Sequence, residues 1–296
     1  MYIKTQEISH PLLEENEIRL FIKRIDLIDY FVSGNKYYKL KYNLLEAEKQ
    51  KVSTILTFGG AFSNHIAATA FAAKQKGYKS IGIIRGEDTI PLNDTLSFAK
   101  EHGMELNYIS REEYRQKYTD TFITNLQQKL GNFHIIPEGG TNKFAVKGTS
   151  EILDENDTQN YICTAIGTGG TISGIINSSS DNQKVLGFPA LKGSEDLEKG
   201  IRSWSNKQNW KLITDYHFGG YAKISEELIQ FIMDFYHKQN IPLDAVYTGK
   251  MMFGIFDLIQ SDFFPKGSSI LAIHTGGLQG NKGMNTRFNL NLPHNL

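Results

Sequence analysis

Ser33-Gly34-Asn35-Lys36-Tyr37-Tyr38-Lys39-Leu40 and, one strand later, Thr54-Ile55-Leu56-Thr57-Phe58-Gly59-Gly60-Ala61-Phe62-Ser63-Asn64-His65 decide how this chain is read. The second run passes from a β-rich segment through a Gly-Gly turn to a Ser-Asn helix start, the unit of an α/β repeat. The first opens an amphipathic helix with two lysines three residues apart. A lysine, a hydroxyl and an amide at such punctuation points suit a carbonyl cofactor held covalently by the lysine. Small polar turns would then hold its oxygens and the carboxylate of a substrate.

The same alternation continues outward in both directions. Strands are expected at Ile18 to Ile25, Thr54 to Phe58, Ser80 to Ile84, Glu105 to Ile109, Phe133 to Ile136, Tyr161 to Ile166, Lys184 to Phe188 and Ile270 to His274. Helical segments are expected at Tyr37 to Glu48, Asn64 to Gly77, Pro91 to His102 and Ile224 to Gln239. This pattern predicts an α/β fold of open, mostly parallel sheets flanked by helices. Glycine-rich turns recur after strands at Gly59-Gly60, at Gly167-Thr168-Gly169-Gly170 and at Gly276-Gly277. Ligands of open α/β sheets sit at the carboxyl ends of strands, so the turns point to one site shared between two sheets. Lobe edges near residues 45 and 145 give a large domain of 1–45 and 146–296 and a small domain of 46–145. Asn156 to Asn160 and Asn177 to Gln183 read as surface loops, and the weakly periodic tail after Gly280 as a surface strap.

The 296 residues carry 32 Lys+Arg against 32 Asp+Glu, so the chain offers no electrostatic case for nucleic acid or an anionic membrane. No apolar run reaches a bilayer span, and MYIKTQEISH lacks the apolar core of a signal peptide. A single cysteine, Cys163, rules out an internal disulfide framework and a cysteine-rich metal site. It lies in the apolar Tyr-Ile-Cys-Thr-Ala-Ile run and is expected in the core. The expected compartment is the cytoplasm.

Gly167-Thr168-Gly169-Gly170-Thr171 follows an apolar strand and precedes a helix. Its free amides and two threonine hydroxyls suit a phosphate, although a tight turn with no ligand accounts for the pattern equally well. No Lys-Ser/Thr pair closes it as a P-loop, and its glycine spacing is not that of a dinucleotide fingerprint. A lone lysine is most often a solvated charge. Lys36 differs in its company, because Lys39 supplies a second cation that favours the neutral amine, and Gly34-Asn35 fix the start of its helix. Ser63-Asn64 read as an ordinary helix cap or as amides aimed at a carboxylate. Tyr247-Thr248-Gly249-Lys250 is a further polar turn leading to a helix.

Taken in order, the motifs resemble the fold-type II pyridoxal phosphate enzymes, and within them the D-cysteine desulfhydrase and 1-aminocyclopropane-1-carboxylate (ACC) deaminase family. The match comprises Lys23-Arg24-x-Asp26, Gly34-Asn35-Lys36-x-x-Lys39, Gly59-Gly60-x-x-Ser63-Asn64-His65, Pro137-Glu138-Gly139-Gly140-Thr141-Asn142, Gly167 to Thr171, Tyr247-x-Gly249-Lys250 and His274-Thr275-Gly276-Gly277. The resemblance implies a two-domain, tryptophan synthase β-like enzyme with Lys36 bonded to pyridoxal 5'-phosphate. It implies Asn64 at the ring hydroxyl, and Gly167, Thr168, Gly169, Gly170 and Thr171 on the phosphate. Ser63 and the amides of Asn64 and His65 would bind the substrate carboxylate. Tyr247 would stack on the pyridine ring, with Tyr221 as a second active-site tyrosine.

Two positions bear on the reaction. The ACC deaminase pattern has a glutamate after the motif tyrosine and a leucine after the late histidine, where this chain has Thr248 and Thr275. Hydroxyls near the ring nitrogen leave it unprotonated, a weaker electron sink that suits departure of sulfide. The resemblance therefore implies D-cysteine desulfhydrase-type elimination to pyruvate, ammonia and sulfide, acting on a small amino acid. The runner-up is ACC deamination to 2-oxobutanoate. A catalytically silent cofactor binder and a nucleotide-binding α/β module rank below both. Relatives are usually dimers, so a homodimer is expected.

Overall fold

The computed structural model describes residues 3–88, 90–193 and 195–294. Its larger sheet contains β1 (Thr5–Ile8), β2 (Arg19–Lys23), β7 (Tyr161–Ile166), β8 (Lys184–Pro189), β9 (Trp210–Leu212) and β10 (Ser269–Ile273). The smaller contains β3 (Thr54–Gly60), β4 (Lys79–Arg85), β5 (Met104–Ile109) and β6 (His134–Ile136). The strand orders are β1-β2-β10-β7-β8-β9 and β5-β4-β3-β6. Every pairing is parallel except that of β1 with β2.

The first helices are α1 (Pro11–Glu15), α2 (Asn35–Lys49), α3 (Asn64–Gln75), α4 (Asp94–Glu101), α5 (Arg111–Arg115) and α6 (Asp120–Leu130). They are followed by α7 (Lys143–Thr149), α8 (Gly170–Ser178), α9 (Glu195–Trp204), α10 (Glu226–Gln239), α11 (Thr248–Gln260) and α12 (Gln279–Phe288). The predicted parallel α/β architecture is present, and each expected strand and helix has its counterpart.

The inner strands β7, β8 and β10 of the larger sheet are apolar on both faces, as a sheet covered on both sides requires. Successive side chains leave opposite faces. Cys163 and Ala165 of β7 and Ile270 and Ala272 of β10 join a core with Leu228 and Ile232 of α10 and Met251 and Ile255 of α11. Ile162 and Ile166, with Leu271 and Ile273, join the opposite core with Ile172 and Ile175 of α8 and Tyr38 of α2. Cys163 is thus buried, as expected. In the smaller sheet Ile55 and Ile136 pack against Leu40 of α2 and Ala68 and Ala72 of α3. Helix α2 therefore touches the cores of both sheets and holds its first turn between them.

Two readings need correction. Asn156 to Asn160 is not wholly a surface loop, because the buried Asp157 carboxylate pairs with the buried Lys23 ammonium, which also reaches Asp154 at 2.7 Å. A charge taken out of water needs such a partner. The first part of the tail after Gly280 is helical, in α12 (Gln279–Phe288), and is pinned by buried Asn281, whose amide donates to the carbonyls of Leu243 and Pro293 at 2.9 and 2.7 Å.

Candidate active site

A cavity of about 280 Å3 lies where the carboxyl ends of β7 and β10 meet the first turns of α2 and α3. Lys36, Asn64, Gly167, Thr168, Gly169, Thr171, Tyr247 and Thr275 all line it, together with Asn35, Lys39 and Gly139. Residues that follow strands of both sheets therefore meet at one cavity, although the Gly59-Gly60 turn itself is not on its wall.

Lys36 is placed by its neighbours. Gly34 has φ 63°, and a Cβ there would lie 2.0 Å from the Thr275 carbonyl oxygen, so only glycine lets α2 start against the end of β10. The Asn35 backbone N–H donates to that same carbonyl at 3.3 Å. The Asn35 side chain donates to Thr171 Oγ1 at 2.8 Å and accepts from Lys36 Nζ at 3.0 Å. Withdrawal from water pushes the Lys36 amine down to about 8, against the opposing pull of the Asp244 carboxylate. A useful fraction of the amine is then neutral near physiological pH, as a nucleophile or base must be.

Lys39 proves to be more than a second charge. Its buried Nζ donates to the Gly139 carbonyl at 2.8 Å and to Thr141 Oγ1 at 3.2 Å, and reaches Thr168 Oγ1 at 3.5 Å. Burial and the Lys36 charge hold it well below the ordinary lysine value. The Gly167 to Thr171 turn thus combines the amino end of α8 with an adjacent amine and hydroxyls, an arrangement that attracts an anion. Gly170, the first residue of α8, is packed on Thr141 and does not face the cavity.

At the start of α3, the Ser63 hydroxyl caps the helix by accepting the Ile66 N–H at 3.4 Å. The first-turn amides of Asn64 and His65 have no helical acceptor and are free for a ligand. Asn64 Nδ2 reaches the Gly277 carbonyl at 3.5 Å, whereas its buried Oδ1 has no hydrogen-bond partner. Ser63 and His65 are set just outside the cavity wall. The His65 imidazole turns inward to Thr57 Oγ1 at 2.8 Å, so only its backbone can serve the predicted role.

The Tyr247 ring lies beside Gly167 on the cavity wall, and the Tyr221 ring meets it edge-on at 6.2 Å between centroids. Burial pushes the Tyr247 hydroxyl well above its ordinary value, so it stays protonated. Tyr221 is half-exposed behind it. Thr275 lines the wall, but Thr248 does not. The fully buried Thr248 hydroxyl donates to Asp244 Oδ1 at 2.7 Å, which corrects its expected place on the cofactor. The reason is local: Asp244 caps α11, accepting the N–H groups of Val246, Tyr247 and Thr248 at 2.8–2.9 Å.

Asp244 was missed in the sequence, where it stands alone in the apolar Ile241-Pro242-Leu243-Asp244-Ala245-Val246 run. Its spacing of four residues from Thr248 was the available signal. A second buried polar group supports the cavity wall. Arg24 grips Asp26 through Nε at 2.9 Å and Nη2 at 2.7 Å, and Asp26 faces His274 Nδ1 at 3.5 Å. His274 Nε2 donates to the Pro242 carbonyl at 2.7 Å, while Nδ1 accepts the Gly276 N–H at 3.3 Å.

Residues 3–276 match the family described as pyridoxal-phosphate dependent enzyme. The chain belongs to this family. Within it, the chain is 32% identical over 297 residues to the mitochondrial bifunctional D-cysteine desulfhydrase/1-aminocyclopropane-1-carboxylate deaminase of Arabidopsis thaliana, covering 90% of this chain and 74% of that protein. It is 26% identical over 284 residues to a D-cysteine desulfhydrase of Klebsiella pneumoniae, covering 87% of this chain and 86% of that one. A crystal structure of an ACC deaminase homologue superimposes with a TM-score of 0.83 at 26% identity, covering 98% of this chain and 94% of that one. This pyridoxal-phosphate dependent enzyme is a fold-type II protein of the ACC deaminase and D-cysteine desulfhydrase group.

The residues present fit the cofactor of the family. A half-buried, partly neutral lysine amine stands on the cavity wall, an anion cradle with a buried amine beside it adjoins the same space, and the orphaned Asn64 Oδ1 supplies an acceptor for a hydroxyl. Among the described residues, no helix is long and apolar enough to cross a membrane, and no group of three or more His, Cys, Asp or Glu could hold a metal ion.

Proposed function

We propose that this enzyme eliminates sulfide from D-cysteine with the uptake of one water, giving pyruvate, ammonia and hydrogen sulfide. The observation that carries this reading is the place of Thr275, a small residue with no acid group, on the cavity wall. Among the described residues, the acids on that wall are Asp26, tied up by Arg24, and Asp29, whose Oδ1 accepts the N–H groups of Phe31 and Val32 at 2.8 and 2.7 Å. Opening the ACC ring calls for an acid or base that neither of these two provides.

Bound pyridoxal phosphate supplies a sink for the electrons left when the substrate loses its Cα proton. Lys36 would hold the cofactor and, once displaced by the substrate amine, take that proton at its Nζ. Gly167, Thr168, Gly169 and Thr171, with Lys39 beside them, would hold the phosphate. Asn64 Oδ1 would accept from the ring hydroxyl, and Tyr247 would cover the ring face. The amides of Asn64 and His65, with Ser63, would orient the substrate carboxylate at the amino end of α3. Tyr221 would close the substrate side next to Tyr247.

The second reading, ACC deamination, is favoured by the Asp244 carboxylate directly behind Thr248. Parallel assays of cofactor-loaded protein separate the two. Pyruvate from D-cysteine, with little from L-cysteine and no 2-oxobutanoate from ACC, is expected; faster release of 2-oxobutanoate from ACC would overturn the first reading.

We further propose a two-lobed homodimer acting in the cytoplasm, a reading supported by the resemblance and by the single cysteine. Separation of the strands into two sheets supports the lobes, with edges at 45/46 and 145/146 falling inside α2 and α7. Light scattering of the purified protein tests the dimer.

A further inference from the structure

Lys250 is buried, ionisable and absent from the cavity wall, so the chemistry above leaves it without a task. Its Nζ donates to the His217 carbonyl at 2.9 Å and to the Gly220 carbonyl at 2.8 Å. Both carbonyls belong to the turn that carries Tyr221. That turn has an unusual backbone, with φ of 53° at Phe218, 91° at Gly219, 125° at Gly220 and 53° at Ala222. Two non-glycine residues in this region are strained, and such a conformation persists only when its surroundings impose it. The turn's own bonds are few: Gly220 N–H donates to the His217 carbonyl at 3.0 Å, Lys223 N–H to the Gly220 carbonyl at 3.2 Å, and Gly219 N–H to His217 Nδ1 at 2.9 Å. The lysine clamps the two carbonyls from the protein side, three residues along α11 from Tyr247.

We propose that Lys250 is a positioning residue that holds the 217–222 turn in its strained form and so fixes Tyr221 against Tyr247. This inference rests on the reading of Tyr221 as an active-site group. It also explains the lysine of the Tyr-x-Gly-Lys motif: its tyrosine lines the cavity, and its lysine sets the place of the tyrosine beside it. Burial presses the Lys250 amine down to about 8, with Asp244 opposing, and a neutral amine still has hydrogens for both carbonyls.

The test is a double-mutant cycle on the holoenzyme, with Lys250→Gln, Tyr221→Phe and both together, alongside hydrogen–deuterium exchange of the 217–223 amides. If Lys250 acts through Tyr221, each single variant lowers kcat/KM by roughly tenfold and the double variant is no worse than Tyr221→Phe alone. Exchange across 217–223 rises in Lys250→Gln, while the visible cofactor absorption is retained. Losses that multiply in the double variant, or exchange unchanged by Lys250→Gln, would overturn the proposal. Full activity in Tyr221→Phe would instead overturn the placing of Tyr221 in the site, while the exchange result still decides whether Lys250 holds the turn. Should Lys250→Gln fail to fold, Lys250→Arg, which keeps a charged donor at the wrong length, carries the same readouts.

Discussion

The Thr248 hydroxyl donates to Asp244 Oδ1 at 2.7 Å and accepts the Asp244 backbone N–H at 2.9 Å, so the pair is closed on itself at the start of α11. A glutamate in place of Thr248 would set a second carboxylate against Asp244 at a fully buried position. Thr248→Glu is therefore expected to cost on the order of 3–5 kcal/mol of folding stability. Thr248→Val, which removes one buried hydrogen-bond partner, should cost about 1–3 kcal/mol. Urea denaturation of the two variants checks the order; equal stability of Thr248→Glu and wild type would refute the burial argument.

Thr275 stands on the cavity wall, and it is the more direct lever on reaction choice. Thr275→Leu is expected to lower pyruvate release from D-cysteine relative to 2-oxobutanoate release from ACC. An unchanged ratio would remove Thr275 as a determinant.

The Lys36 amine, held down to about 8, gives a pH dependence with a definite sign. Covalent capture of pyridoxal phosphate by the apoprotein needs the neutral amine, so its rate should climb with pH and level off above about 8. Asp244 favours the charged amine, and Asp244→Asn should shift the midpoint lower. The same shift makes the folded chain bind fewer protons than the unfolded one between about 8 and the ordinary lysine value, so apoprotein stability should rise with pH across that window. Stopped-flow absorbance and denaturation at graded pH give both quantities. In Lys36→Ala, the visible absorption of the attached cofactor should be missing at every pH.

Lys39 lies beside the Gly167 to Thr171 turn through Thr168 and Thr141. Lys39→Met should weaken pyridoxal phosphate binding by on the order of tenfold, since a hydrogen-bonding amine beside the phosphate turn is lost. Binding of pyridoxal, which lacks the phosphate, should change little. Equal loss for both ligands would show a packing role instead.

Gly34 admits no side chain, because a Cβ would meet the Thr275 carbonyl at 2.0 Å and the backbone has φ 63°. Gly34→Ala should cost about 3 kcal/mol or more through strain and displacement of α2. Thermal unfolding with cofactor titration would show a lower Tm and weaker retention together.

Much of this was legible because parallel strands covered on both faces leave apolar runs, such as Thr54–Gly60 and Tyr161–Ile166, ending in glycine turns. The edge strands Thr5–Ile8 and Trp210–Leu212 were not, since each is short and only partly buried. Helix α12 escaped notice because only Asn281 and Met284 are buried along it. At the site, Lys36, Asn64 and the Gly167 to Thr171 turn stood out by residue type. Asp244 and Lys250 act on groups brought near by the fold, and sequence spacing carries little trace of such partners.

The position of β10 between β2 and β7 has a consequence for how the enzyme is made. The last strand of the described chain to leave the ribosome is also a central one, and its end supplies both Thr275 and the carbonyl against which α2 starts. A nascent chain lacking β10 has a divided larger sheet and an unfinished pocket, however complete its smaller sheet. Loading of the cofactor is thereby deferred until β10 has been made, and a chain that stops short of it cannot pass as a partial enzyme.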